Sequence, residues 1–174
     1  MFFKKNKNSY TLIVDSSFCQ DTGASGWAYW IKGGDMGSGV IHSKEGGVVR
    51  ASHIAEFTGV VEGVKHAIHG GILPKYAKVL VQCDCLAVGG LISKARCVAK
   101  SPKYKVPSKF PDEKELTVEL GGLVKGWGLE LEYKHVAGHK HASMGGRFWC
   151  NIEVDKRAKE EMKKVRYQIK GEVV

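Results

Sequence analysis

Two apolar runs in this chain finish on a carboxylate: Tyr10-Thr-Leu-Ile-Val-Asp15 and Lys78-Val-Leu-Val-Gln-Cys-Asp84. Both are rich in β-branched and apolar residues, as strands buried inside a sheet are. A buried strand has no structural use for an unpaired negative charge, whose desolvation is costly unless a cation compensates it. A turn-opening role accounts for Asp15 on its own. It accounts less well for a second strand built the same way. If the two strands are parallel neighbours, Asp15 and Asp84 lie side by side and repel each other unless a cation sits between them. Two more acids, Glu56 and Asp155, fall in helical segments, although the helix dipole alone explains an acid near a helix start. The reading is that Asp15 holds a metal ion and that the rest of the chain brings other carboxylates to meet it.

The elements that must position these acids follow from the patterning. Trp27 to Lys32 suits a second strand, and Gly33-Gly34-Asp35 a hairpin turn into a third near Gly37 to Ser43, giving an antiparallel meander. Ser52 is placed to cap a helix to about His69. Its stripe is Ile54, Phe57, Val61, Val64 and Ile68, with Glu56 off that stripe in the first turn. Gly70-Gly71 ends the helix, so the Lys78–Asp84 strand can lie parallel to the first after a right-handed crossover. Cys85 to Ser93 reads as a short helix weakened by Gly89-Gly90. Asp112 to Glu115 reads as a capping-box-like start of another helix, with Leu116, Leu120, Leu123 and Val124 as its stripe and Gly126 as its stop. Leu129 to Val136 alternates with period two, as a strand with one wet face does. A glycine- and histidine-rich loop, Ala137 to Trp149, leads to a final charged helix. Ile152, Ala158, Met162, Val165 and Ile169 supply its apolar contacts, and Asp155 lies in about its first turn.

At 174 residues and 43% hydrophobic content, the chain suits a single domain over 1–174. The basic N-terminal segment 1–8 carries no secretory signal, and no run is long enough to span a bilayer, so no membrane is expected. Five cysteines, an odd number without disulfide-scaffold density, point to a reducing cytoplasm. A zinc site from Cys83, Cys85, His139 and His141 is disfavoured, because one residue within each pair is not the usual ligand spacing. The net charge of +9 makes nucleic acid the leading partner. Residues 94–110 hold six basic residues and no acidic one. With Tyr104 and Phe110 interleaved, this stretch reads as a loop for phosphate contact and stacking, through Lys100, Lys103 and Lys105 among others. A solvated loop is the plain alternative.

The order of elements and acids resembles the ribonuclease H fold, and the motifs look like type 1 ribonuclease H. The matching pieces are Ile13-Val14-Asp15-Ser-Ser with Cys19, Ala55-Glu56-Phe57, Val81-Gln82-Cys83-Asp84, His135-Val-Ala-Gly-His139, and Asn151-Ile-Glu-Val-Asp155-Lys-Arg-Ala158, spanning about residues 10 to 165. The resemblance implies an α/β fold with a five-stranded mixed sheet, the first three strands antiparallel and the rest parallel, flanked by helices. It implies that Asp15, Glu56, Asp84 and Asp155 bind two divalent cations, usually Mg2+ or Mn2+. It implies endonucleolytic hydrolysis of the RNA strand of an RNA–DNA hybrid by a two-metal mechanism, leaving 5′-phosphate and 3′-hydroxyl ends. His139 matches the family's mobile-loop histidine, which assists proton movement or product release, with His141 nearby. Ser16, Ser17, Ser52, His53 and Asn151 fall where the family grips nucleic acid. The chain departs from the usual pattern at Ser16, where the family has Gly, and at Ser52 and His53, where it has asparagine. The spacing from His139 to Asp155 is also longer, with an insertion at Ala142 to Phe148. No organic cofactor is expected, and a monomer is the default. The other readings are a nuclease of this fold acting on DNA, like a resolvase or transposase, and a catalytically silent nucleic-acid-binding module.

Overall fold

The computed structural model of the chain describes residues 8–36, 39–137 and 146–171. In chain order the elements are β1 (Ser9–Phe18), β2 (Ala24–Gly33), β3 (Val40–Val48), α1 (Ser52–His69), β4 (Lys78–Cys83), α2 (Ala87–Lys100), α3 (Pro111–Trp127), β5 (Glu130–His135) and α4 (Gly146–Lys170). The strands form one mixed sheet in the order β3-β2-β1-β4-β5. Short connections make β1, β2 and β3 an antiparallel meander, whereas the α1 crossover forces β4 parallel to β1 and the α2–α3 pair does the same for β5. The five-stranded mixed α/β sheet expected from the sequence is the one present.

Strand alternation splits the core in two. Leu12 and Val14 of β1 pack with Tyr29, Val60 and Val64 on the α1 side. Ile13 instead joins Ala28, Cys150, Val154 and Ala158 under α4 on the opposite face. Close backbone approaches set the helix positions. A Cβ on Gly59 of α1 would lie 2.8 Å from Val14 Cγ1, and one on Gly26 of β2 would lie 2.3 Å from the backbone of Ala158 and Met162 in α4. At both positions the absent side chain lets a helix lie directly on the sheet.

Several boundaries differ from the sequence expectation. β1 does not end at Asp15. It pairs with β2 as far as Phe18↔Ser25, while its pairing with β4 stops at Ile13↔Gln82. Asp15 therefore sits where β1 leaves β4, and that divergence opens a gap at the carboxyl ends of the two parallel strands. Ser52 is the first residue of α1, not its cap; Ala51 holds the cap position and makes no side-chain bond. Glu56 consequently lies in the second turn, beyond the reach of a first-turn dipole effect, and it is buried. α2 continues through Gly89-Gly90 to Lys100, so the front of the basic 94–110 stretch is helix and only its remainder is loop. α3 starts on Pro111 with no side-chain cap, and it ends at Gly128 in the left-handed conformation (φ 66°), not at Gly126. α4 begins at Gly146, inside the expected loop, which puts Asp155 well past the first turn. The apolar contacts of α4 come chiefly from Cys150, Val154 and Ala158, whereas Ile152 and Ile169 are exposed. No helix among the described residues is long and apolar enough to cross a membrane.

Candidate functional site

The gap between β1 and β4 is a cleft of about 300 Å³ lined by Asp15, Ser16, Ser17, Glu56, Asp84 and Asp155, among others. Each acid arrives on a different element. Asp15 shares its face of β1 with Ile13, toward α4 and Asp155. Ser16 shares the face of Val14, toward α1, and its hydroxyl donates to Glu56 Oε1 at 2.5 Å. Asp84 is the residue immediately after β4 and is exposed at the mouth. Carboxylate oxygens of Asp15, Glu56 and Asp84 all lie within 4.8 Å of one another. Asp155 comes from α4, and Lys159, one turn further on, donates to its Oδ2 at 2.7 Å.

The electrostatics register this crowding. Burial first, then the charges of Glu56, Asp84 and Asp155, push Asp15 up to about 8, against a smaller downward pull from the Ser16 backbone N–H. Glu56 is pushed up to about 7 by burial and by Asp84, although the Ser16 hydroxyl bond lowers it in part. Glu56 Oε2 is buried and has no hydrogen-bond partner among the described residues. Hard oxygen donors, mutual repulsion and an orphaned buried carboxylate oxygen together form a donor set that fits divalent cations.

Other residues singled out in the sequence distribute unevenly. Ser17 and Asn151 line the cleft, and Asn151 Oδ1 is buried without a partner among the described residues. Ser52 is exposed at the start of α1 and does not line the cleft. His53 does not line it either; its ring packs edge-on against Phe57 and Phe110, with centroids at 5.6 Å and 5.2 Å. Lys100, Lys103 and Lys105 are exposed outside the cleft. The loop carrying them is pinned where it returns: Ser108 donates to Glu113 Oε2 at 2.7 Å, and Lys94 donates to Oε1 of the same carboxylate at 2.6 Å. His139 and His141, and with them most of the 142–148 insertion, lie outside the described residues. Lys159 went unnoticed in the sequence, although its i,i+4 spacing from Asp155 was the available signal.

No family model matches the chain, and no curated protein matches it by sequence. Solved structures do. The N-terminal RNase H domain of a Mycobacterium tuberculosis protein is 19% identical with a TM-score of 0.65, covering 92% of this chain and 97% of that one. RNase H1 from the halophilic archaeon Halobacterium salinarum is 17% identical, covering 90% and 98%, with a TM-score of 0.59. LC11-RNase H1, solved in complex with an RNA/DNA hybrid, is 15% identical, covering 90% and 99%, with a TM-score of 0.65. At these identities the shared property is the fold: this chain has the type 1 ribonuclease H fold.

Proposed function

We propose that the protein is a metal-dependent endonuclease that hydrolyses the RNA strand of RNA–DNA hybrids. The observation that carries this reading is the convergence of Asp15, Glu56 and Asp84 within 4.8 Å in a cleft of the ribonuclease H fold, with Asp155 facing the same space. Asp15, Glu56, Asp84 and Asp155 would hold two divalent cations, Mg2+ or Mn2+. When bound, such ions activate the attacking water and stabilise the charge that develops on the leaving 3′ oxygen.

The chain's own residues prepare the site. Ser16 orients Glu56 by its hydroxyl bond, and its backbone N–H holds Asp15 Oδ1 at 2.8 Å. Lys159 steadies Asp155. Asn151 lines the cleft with a buried, unpartnered carboxamide oxygen, Oδ1, suited to accept a hydrogen bond from a sugar hydroxyl of the substrate. Ser17, Ser52 and His53 extend the contact surface, and Lys100, Lys103 and Lys105 meet phosphates further along the duplex. His139 moves protons or helps release the product, which leaves with 5′-phosphate and 3′-hydroxyl ends. The hybrid as substrate is supported by the bound ligand of LC11-RNase H1, a protein of the same fold. The scissile strand is told from DNA by its 2′-hydroxyl groups. The protein works without an organic cofactor, as a monomer, in the cytoplasm.

The Asp84→Asn variant tests this reading. Cleavage of a labelled hybrid should fall by at least about 10³-fold, while hybrid affinity stays within a few-fold, because phosphate contacts dominate binding. Unchanged cleavage would contradict the assignment.

A further inference from the structure

We propose a second metal site, separate from the acidic cleft, in which Glu45, Glu62 and His66 bind one borderline divalent cation such as zinc. Glu62 and His66 stand four residues apart on α1, which places both on one face of the helix. Glu45 reaches the same point from β3, the edge strand of the sheet. The donor atoms of all three side chains lie within 4.8 Å of one another. Glu62 is about 9 Å along the helix axis from Glu56, at 1.5 Å per residue, so the two sites share an element and no ligand.

Three features go beyond a chance meeting of charges. First, His66 Nε2 lies 3.5 Å from Glu45 Oε1 and 3.6 Å from Glu62 Oε2. A direct charge-assisted hydrogen bond would close to about 2.8 Å. Two ligands of one tetrahedral ion, each with bonds of about 2.0–2.1 Å, are separated by about 3.4 Å. Second, the Nδ1 atom of His66 is hydrogen-bonded to the hydroxyl of Tyr29, a fully buried residue of β2. A partner on the other ring nitrogen is the feature that fixes the orientation and tautomer of a metal-ligating histidine. Third, Lys65 holds the opposite oxygen of Glu62, Oε1, at 2.6 Å and also contacts Glu119 Oε1 at 2.9 Å. That leaves Glu62 Oε2 turned toward His66 and fixes the side chain without occupying the shared point.

An imidazole nitrogen with two carboxylate oxygens favours zinc and similar ions over magnesium, which prefers an all-oxygen octahedral shell. Solvent completes the shell, because all three groups are only half-buried. The bound ion would tie the edge strand β3 to α1, the helix that carries Glu56.

The test uses the full chain carrying Asp15→Asn and Asp84→Asn, so that the acidic cleft does not compete for metal. Zinc binding is read by calorimetry and thermal melting, and geometry by the visible spectrum with Co2+ in place of zinc. The proposal expects one equivalent of zinc, a rise in Tm, and the intense visible bands of tetrahedral Co2+. Adding Glu45→Gln, a change on the edge strand, should remove that equivalent and the Tm rise, with affinity down at least tenfold. Glu62→Gln should do the same. His66→Ala also removes a ligand, but it leaves Tyr29 without its partner, so the two Gln variants decide. Zinc binding that survives both Gln variants, or the absence of saturable binding in the parent, overturns the proposal.

Discussion

The burden on the acidic cleft is carried by individual groups. Asp15 and Glu56 are pushed up to about 8 and about 7, whereas in the unfolded chain both titrate near 4. At low pH both are protonated in either state and add nothing to the pH dependence. As pH rises through about 4 to 8, the unfolded chain releases protons that the folded chain keeps, so these two groups draw stability down across that window. A cation that binds their ionised forms reverses the effect. In EDTA, Tm should therefore fall from about pH 5 to pH 8, and Asp84→Asn should recover part of that fall by removing one repelling charge. Added Mn2+ should raise the wild-type Tm far more at pH 8 than at pH 5, and raise that of Asp84→Asn little. Equal shifts at both pH values would show that these acids are not the ligands. Asp15 and Asp84 were legible in the sequence because a carboxylate closing an apolar run is conspicuous against its neighbours. Ser16 was singled out as a nucleic-acid contact but not as the partner of Glu56, and Lys159 was not singled out, since a hydroxyl or ammonium gains its role from the group it reaches. Strand parity turns Ser16 toward α1, and helical spacing sets Lys159 against Asp155.

The acids meet only if the elements hold station, and α4 is the sharpest case. It lies against β2 where Gly26 faces the backbone of Met162 and of Ala158, the latter less than one turn from Asp155. Gly26→Ala should lift the helix from the sheet and destabilise the fold by about 1–3 kcal/mol. The accompanying shift of Asp155 by roughly 1 Å should reduce kcat by about 10²-fold with KM little changed. Denaturant unfolding and steady-state kinetics check both; a variant matching the wild type in both would detach α4 packing from the site. The order and type of the elements were readable from periodicity, but several ends were not. Paired glycines suggested that the helix after Asp84 was short. In the fold, Gly89 lies where the Tyr133 ring of β5 comes against α2, and a Cβ there would stand 2.9 Å from the ring. A glycine required by tertiary packing reads in sequence like a helix breaker. Likewise Gly126 faces open space inside α3, while Gly128 makes the left-handed turn that ends it.

Over the whole molecule, the +9 charge and the exposed Lys100, Lys103 and Lys105 outside the cleft describe a surface suited to a long polyanion. Replacing these three lysines by glutamine should weaken hybrid binding. If all three meet phosphates, it should also flatten the slope of log affinity against log salt by roughly 2 to 3. An unchanged slope in fluorescence anisotropy would make the stretch ordinary solvated surface. The fold was readable at this scale because acids and element types recur in one order along the chain; substrate choice depends on surfaces that no short motif encodes. Substrate choice is therefore the property to measure. An RNA-labelled RNA–DNA hybrid, duplex DNA, duplex RNA and a four-way DNA junction would each be incubated with Mg2+ or Mn2+, with EDTA controls. The expected result is metal-dependent cutting of the RNA strand of the hybrid alone, with 5′-phosphate and 3′-hydroxyl ends. Cutting confined to the junction or duplex DNA, or tight hybrid binding with no cutting under either metal, would contradict it.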